Sequence, residues 1–287
     1  MRIMVTGGAG KIGSLVVRTL SERGHQVKVF DLPFVNFSNV QSLPNVGLYK
    51  GDLTNYDHIR DATKHLDAVL HLAALLPPAS EKNKERTMAI NVEGTRNILR
   101  AIKEVSPKAL IIFSSSVSVY GNTAHEKLPI KVDHAPTPSD FYSESKIIAE
   151  KAIAMSNVPY SILRITGISA AELFEFPNPL QFRNDQRIEF IDRNDAALAI
   201  VSSLEKETAK NKILNIAGGD TWRMIGEEYI ERVSKAIEFD VKIHYPEEYG
   251  WFDWYDTTES QKLLDYQRTS FSIFLEKLRK VFKDLIV

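Results

Sequence analysis

Apolar and polar positions along the chain fall into two kinds of block. Short apolar runs of strand length alternate with longer stretches whose apolar residues recur at helical spacing. Arg2 to Val5 reads as a buried strand, and SLVVRTLSERG carries Leu15, Val16 and Leu20 on one helical face up to Gly24. QVKVF (26–30), VGLYKGDL (46–53), LDAVLHLAA (66–74), ALIIFSSS (109–116) and PYSILRIT (159–166) read as further strands. NYDHIRDATK, ERTMAINVEGTRNILRAIKEV and SDFYSESKIIAEKAIAM lie between them as helices, the first with Asn55 as its cap. LDAVLHLAA is nearly all apolar, as a strand buried on both faces should be. This alternation predicts an α/β fold with a doubly wound parallel sheet.

After Thr166 the pattern loosens. ISAAELFEFPNPLQFRNDQR is loop-like, and IEFIDRNDAALAIVSSLEK reads as a short strand followed by a helix. KILNIAGG and VKIHYP read as strands, MIGEEYIERVSKAIE as a helix, and the last 30 residues as two short helices. This part is expected to form a small irregular cap over the sheet ends.

The first strand runs straight into Gly7, Gly8, Gly10 and Gly13 and then into a helix. Strand, glycine turn, helix is the arrangement that cradles a dinucleotide. Gly7 permits the tight turn, Gly10 lets the backbone approach a pyrophosphate, and Gly13 lets the helix pack close to the strand. The helix N-terminus offers unpaired N–H groups to the phosphates. The second strand ends in Asp31, whose carboxylate can accept both hydroxyls of an adenosine ribose and would repel a 2′-phosphate. That favours NAD over NADP. Lys11, inside the turn, is a counter-signal unless it is simply solvated.

Composition narrows the picture further. The formal net charge is −1 and no basic run stands out, so no nucleic acid is expected as a partner. The chain has no cysteine, which excludes disulfides, thiolate metal sites and a thiol mechanism. No apolar run reaches the length of a membrane span. With the first strand beginning at residue 2, no signal segment is expected, and the expected location is cytoplasmic.

Tyr142 and Lys146 stand at i and i+4 on one helix, after a serine-rich strand end. An ammonium beside a phenol favours the phenolate and lowers the tyrosine pKa, so the pair predicts a base able to take a proton from a substrate hydroxyl. Ser114, Ser115, Ser116 and Ser118 could supply a hydroxyl to the reacting oxygen, or only cap the strand end. Asp52, in GDL, could accept from an adenine amino group or serve as a turn residue. Asn91 lies mid-helix, a poor place for it unless its side chain has a partner. His71, in an apolar strand, reads as a satisfied core histidine.

Together these residues resemble the extended short-chain dehydrogenase/reductase superfamily, in its NAD-dependent epimerase/dehydratase branch. The resemblance rests on TGGAGKIG, Asp31, GDL, HLAA, INVEGTRN, SSSVSVYG and YSESK in that order, and continues loosely through IEFIDRNDAA and NIAGG. It implies a Rossmann-type fold, NAD as cofactor, and a catalytic set of Ser116, Tyr142 and Lys146, with Ser114 near the nicotinamide. Cofactor contacts implied by the motifs are Gly7, Gly10, Lys11, Ile12, Gly13, Asp31, Asp52, Leu53, Leu72, Ala73, Ala74, Asn91 and Ser114, joined by Tyr142 and Lys146. The expected division is a dinucleotide-binding domain over 1–167 and a region over 168–287 that is mainly substrate cap, with some segments returning to the sheet.

The chain also departs from the family pattern. Val117 and Ser118 stand where sugar dehydratases of the branch carry an Asp-Glu pair, so dehydration is not expected. Arg164 is followed three residues later by Gly167 instead of an asparagine that helps hold a nucleotide sugar. The segment between Thr166 and Ile188 is short for a nucleotide-sugar lobe. Expected substrate contacts are Ser116, Ser118, Arg183 and Arg187, with Arg193 and Arg223 as further cations in the cap. The favoured expectation is epimerisation of a sugar or nucleotide sugar through a keto intermediate. The alternative is a dehydrogenase that releases NADH from a small sugar, uronate or hydroxy compound; a non-catalytic NAD-sensing protein is the alternative of another class. No metal and no membrane partner are expected, and a homodimer is the candidate assembly.

Overall fold

The computed structural model describes residues 1–173, 179–238 and 243–284. The first 165 residues run β1 (Arg2–Thr6), α1 (Lys11–Glu22), β2 (Gln26–Asp31), β3 (Val46–Lys50), α2 (Tyr56–Thr63), β4 (Ala68–His71), α3 (Lys84–Met88), α4 (Gly94–Val105), β5 (Leu110–Ser116), α5 (Phe141–Ala154) and β6 (Tyr160–Ile165). The rest contributes β7 (Ile168–Ser169), β8 (Arg187–Glu189), β9 (Ile191–Asp192), α6 (Arg193–Glu205), β10 (Lys212–Ile216), β11 (Arg223–Ile225), α7 (Gly226–Ile237), α8 (Thr258–Leu264) and α9 (Phe271–Lys283).

Seven strands form one sheet in the order β10-β6-β5-β4-β1-β2-β3, with every pairing parallel. The two-residue period of β1 shows why its central positions are all apolar. Ile3 and Val5 face Val16, Val17 and Leu20 of α1 and Ile200 of α6, while Met4 faces Ile98 and Ile102 of α4. All of these are shut off from solvent, each contributing about 1.5–3 kcal/mol of burial. The strand order reverses between β1 and β4, and ligands of such sheets sit outside the carboxyl strand ends at that switch point. The glycine turn, Asp31, His71 and Ser116 all lie at those ends.

The fourth strand is shorter than its apolar run. It covers Ala68 to His71 because polar side chains claim the flanking amides: Leu66 N–H donates to Ser106 Oγ (2.9 Å) and Ala73 N–H to Thr6 Oγ1 (3.2 Å). The long helix expected from Glu85 to Val105 is interrupted by a π turn at Ala89–Glu93. Asn91 sits in that turn and finds the partners a mid-helix asparagine needs. Its Oδ1 accepts from Leu75 N–H (2.7 Å), and its Nδ2 donates to Leu75 O (3.1 Å) and Ser145 Oγ (2.9 Å).

Beyond β6, two segments return to the main sheet. β10 pairs with β6, and α6 packs its buried face on α1. The remainder builds a second core from Leu180, Phe182, Trp222, Phe252, Phe271 and Phe274, under two small sheets, antiparallel β8–β11 and parallel β7–β9. The strand expected at VKIHYP falls only partly within the described residues. Residues 243–246 carry no strand pairing, and Val241 and Lys242 lie outside the described residues, as do residues 174–178 of the loop-like segment. No helix among the described residues is long and apolar enough to cross a membrane.

Candidate active site

The glycine turn is as tight as its sequence demands. Gly7 has a φ of +68°, and a Cβ there would sit 2.9 Å from Ala73 N. A Cβ on Gly13 would come 2.0 Å from Gly7 O, so only glycine lets α1 pack this close to the strand. Gly10 precedes α1 with no side-chain cap, which leaves the first-turn N–H groups facing outward. Asp31 closes the other side. Its Oδ2 accepts from Ala9 N–H (3.0 Å) and its Oδ1 from Leu32 N–H (2.9 Å), which fixes the carboxylate beside the turn. Bare helix-terminal amides, a cradle that a Cβ would fill and an aimed carboxylate fit the pyrophosphate and ribose of a dinucleotide.

His71 is fully enclosed beneath this turn. Its Nδ1 is 2.8 Å from Thr6 Oγ1 and its Nε2 2.9 Å from Thr95 Oγ1. Thr95 donates its own proton to Asn91 O (2.6 Å), so it accepts from Nε2–H and leaves Nδ1 as an acceptor for Thr6. Burial, with a smaller push from the Lys146 charge, drives the imidazole pKa down to about 3. A neutral, doubly satisfied histidine of this kind is a core residue. Asp52 uses Oδ1 to accept from the Thr54 amide and hydroxyl (both 2.8 Å), a turn role, next to Leu53 in the core. Ile12, Leu72 and Ala73 pack beside the turn as partly buried apolar groups.

The catalytic candidates meet at the end of β5. Ser116 caps a 3-10 turn, its Oγ accepting from Ser118 N–H (3.1 Å). The helix that carries Tyr142 is set by a capping box between Asp140 and Ser143, and Glu81 accepts from the Phe141 and Tyr142 amides (2.9 and 3.2 Å). The Ser116 hydroxyl lies close enough to the Tyr142 phenol to favour its ionised form. Lys146 Nζ lies 5.6 Å from the Tyr142 ring centroid and 4.6 Å from that of Phe113, and donates to Ser114 O (2.7 Å). Ser115 bonds Glu150 instead, and Ser118 Oγ is buried with no hydrogen-bond partner among the described residues.

The expected depression of the tyrosine pKa is not what this geometry produces. Burial pushes the Tyr142 phenol well above its ordinary value, the Asp140 charge adds to that, and the Ser116 hydroxyl offsets only part of it. Burial also lowers Lys146 to about 7, against a smaller opposing effect of Glu150. The ammonium that should favour the phenolate therefore loses its own charge near neutrality. The cofactor-free protein is expected to show no Tyr142 phenolate below pH 10, the phenol's ordinary midpoint. Ultraviolet difference titration of wild type against Tyr142→Phe checks this, and a phenolate signal near pH 7 would contradict it.

The cap cations are engaged by carboxylates. Arg187 bonds Asp253 through Nε (2.8 Å) and Nη2 (3.1 Å), and the Ala124 carbonyl through Nη2 (2.9 Å). Arg183 pairs with Asp185 and lies over the Tyr249 ring, and Arg223 pairs with Glu189 and Asp220. Lys11 and Arg193 share Glu172. Arg164, which the sequence marks only for its missing partner asparagine, is a buried structural residue bonded to Glu150, Tyr120 and Val132 O. No single-sequence signal pairs Arg187 with Asp253, 66 residues away, or Arg164 of β6 with Glu150 of α5, because each pairing depends on how the elements pack.

A doubly wound parallel sheet with a glycine cradle at the end of β1 and a carboxylate beside it is a Rossmann-type dinucleotide-binding architecture. A model of the NAD dependent epimerase/dehydratase family matches residues 3–175, and the chain belongs to that family, whose cofactor is NAD. Human sterol-4-alpha-carboxylate 3-dehydrogenase, decarboxylating, is 32% identical over 173 residues, which are 60% of this chain and 44% of that protein. UDP-glucose 4-epimerase of Lactobacillus helveticus is 33% identical over 178 residues, 60% of this chain and 53% of that protein. The chain thus spans about half the length of the curated relatives it matches. The crystal structure of Thermotoga maritima UDP-glucose 4-epimerase with UDP-glucose shares the fold, with a TM-score of 0.83, 21% identity and full coverage of both chains. The Thermus thermophilus UDP-glucose 4-epimerase complex with NAD superposes equally well, at a TM-score of 0.83 with 19% identity and 99% of each chain covered.

Proposed function

We propose that the protein oxidises a secondary alcohol of a small-molecule substrate held between the sheet edge and the cap. The observation that carries this reading is the convergence of Ser116, Tyr142 and Lys146 at the end of β5, beside the dinucleotide cradle. NAD, held by the glycine turn, Asp31 and Lys146, supplies the hydride acceptor. Tyr142 exchanges the hydroxyl proton, and Ser116 hydrogen-bonds the reacting oxygen. A phenol that keeps its proton near neutrality is set to return one to a carbonyl oxygen, and loss of that proton at higher pH favours oxidation. Asp31, fixed at the mouth of the turn, supports NAD over NADP.

Two outcomes follow oxidation. Relatives named as UDP-glucose 4-epimerases favour epimerisation of a nucleotide sugar. The state of the cap arginines favours a dehydrogenase acting on a substrate without a diphosphate. Arg187, Arg183 and Arg223 already face carboxylates, one of them the fully enclosed Asp253. A diphosphate would have to displace those partners, and phosphates brought into a pocket without free cations are costly. The geometry therefore supports the dehydrogenase best, ahead of the epimerase that the sequence alone favours. Mixing the enzyme and NAD with free sugars, uronates, hydroxy acids and hydroxysteroids is expected to give stoichiometric NADH absorbance with one of them. Epimer formation from a nucleotide sugar without net NADH would reverse the order.

A further inference from the structure

The aromatic core of the cap encloses a cavity of about 270 Å³, walled by Ile168, Phe182, Phe190, Tyr229, Phe252 and Phe274. Two connections place it beside the candidate active site. Ile165 of β6 pairs with Ser116 of β5, and the wall begins three residues further on, at Ile168. Those residues span at most about 11 Å of chain. Gly167 lies between, and a Cβ there would meet Phe190 Cε1 at 2.5 Å and Phe252 Cε1 at 2.8 Å, so the two rings take the space a side chain would fill. On the other side Glu172 lines the cavity and accepts from Lys11 Nζ of the cofactor turn (2.6 Å). The polar groups on the described wall are few and mostly engaged. Ser169 Oγ and Tyr229 Oη bond each other (3.3 Å), the two Glu172 oxygens accept from Lys11 and Arg193, and Gln181 is exposed.

Size and chemistry of the wall restrict what fits. A dry apolar cavity of about 150 Å³ holds one benzene ring, so this one has room for one or two rings and not for four fused ones. A sugar carries a hydroxyl on most of its carbons, and each one left unpaired against these rings weakens binding about five- to a hundredfold. An apolar ring gains by leaving water for the same surroundings. We infer that this cavity takes the apolar body of the substrate: an uncharged secondary alcohol with one or two rings, whose hydroxyl points toward Ser116 while its rings lie among Phe182, Phe190 and Phe252. The inference rests on the proposed oxidation of a secondary alcohol and names the class of that alcohol. It narrows the choice among free sugars, uronates, hydroxy acids and hydroxysteroids by excluding the first three for their polar groups and the last for their size.

Binding tests the cavity without any need for turnover. The probe is 2-naphthol, which has two fused rings and a hydroxyl on a carbon with no hydride to give up. Calorimetric titration of the full chain with NAD present is expected to show 2-naphthol bound with a Kd on the order of 100 μM, and no binding of myo-inositol at the same concentrations. Ala170 also lines the cavity, and Ala170→Leu extends an apolar side chain into it. That variant should weaken 2-naphthol about tenfold or more while leaving NAD affinity unchanged, and it should melt no lower than wild type, because a side chain entering open space does not overpack a core. In the wild type, 2-naphthol should raise the apparent KM of whichever alcohol releases NADH and leave kcat unchanged. Myo-inositol bound as tightly as 2-naphthol, no binding of 2-naphthol, binding that survives in Ala170→Leu, a clearly lower melting temperature in that variant, or inhibition that lowers kcat alone would each overturn the inference. If 2-naphthol binds and Ala170→Leu abolishes it, yet no alcohol releases NADH, the apolar site stands and the oxidation reading fails, a separate and distinguishable result.

Discussion

Replacing Tyr142 by phenylalanine is expected to cut turnover by about 10²–10⁴-fold, the usual scale of a lost general acid–base group, while NAD affinity stays close to wild type. The phenol is flanked by the Ser116 hydroxyl and the Lys146 side chain, which places it to exchange a proton with a substrate oxygen that Ser116 hydrogen-bonds. The phenylalanine ring keeps the packing and removes only the hydroxyl. The backbone of residue 142 is held independently, by Glu81 through its amide and by Ser145 Oγ through its carbonyl (2.6 Å), so the helix start should not shift. Single-turnover kinetics with saturating NAD, together with an NAD titration of the variant, separates the two effects. Near-normal turnover would mean that another group is the base. A loss of NAD binding as large as the loss of turnover would mean that Tyr142 acts mainly by holding the cofactor.

The sheet was legible in the sequence because its central strands are buried on both faces. Ile3, Met4 and Val5 must all be apolar when one face meets α1 and the other α4, and that leaves a run no amphipathic helix would carry. The glycine turn was legible for a steric reason, since a Cβ on Gly13 would meet Gly7 O. The length of β4 was not, because its end depends on Thr6 taking the Ala73 amide, a contact across 67 positions. VKIHYP alternates like a strand, yet strand pairing depends on distant segments, and the described residues 243–246 are irregular, with His244 O accepting from Leu180 N–H (2.9 Å). At the site, spacing alone puts Tyr142 and Lys146 on one face of a helix. It says nothing of the burial that raises one pKa and lowers the other, since that depends on what β5 and the first turns of α5 enclose. The cap arginines show the same limit. Arg187 reads as a free cation until Asp253, 66 residues away, is folded against it.

A second large effect is expected beneath the catalytic cluster, where Glu150 and Arg164 form a buried ion pair. Arg164 donates to Glu150 through Nε (3.1 and 3.3 Å) and Nη2 (2.8 Å), with the two side chains 5% and 6% exposed. Its Nη1 reaches Tyr120 Oη (2.9 Å) and Val132 O (3.0 Å), and Tyr120 donates in turn to Asn215 Oδ1 (2.6 Å). This network ties β5, α5, β6 and β10 together directly under Ser116 and Lys146. Glu150→Ala leaves a guanidinium buried without its counter-charge, which costs about 3–5 kcal/mol, a large part of the roughly 5–15 kcal/mol that holds a domain folded. Thermal unfolding should shift down by roughly 5–15 °C at this chain length. The double replacement Glu150→Leu with Arg164→Met removes both charges at similar volume and should recover most of the loss. Activity should not recover with it. Glu150 is the carboxylate that supports the charge of Lys146, so without it the Lys146 pKa falls further below about 7 and the amine is neutral over a wider range. The double variant should therefore melt near wild type yet need a lower pH than wild type for Lys146 to carry its proton. A double variant that melts as low as Glu150→Ala would show that the network, and not the unpaired charge, is what the fold requires. A wild-type pH profile in the double variant would show that Lys146 draws its charge from elsewhere.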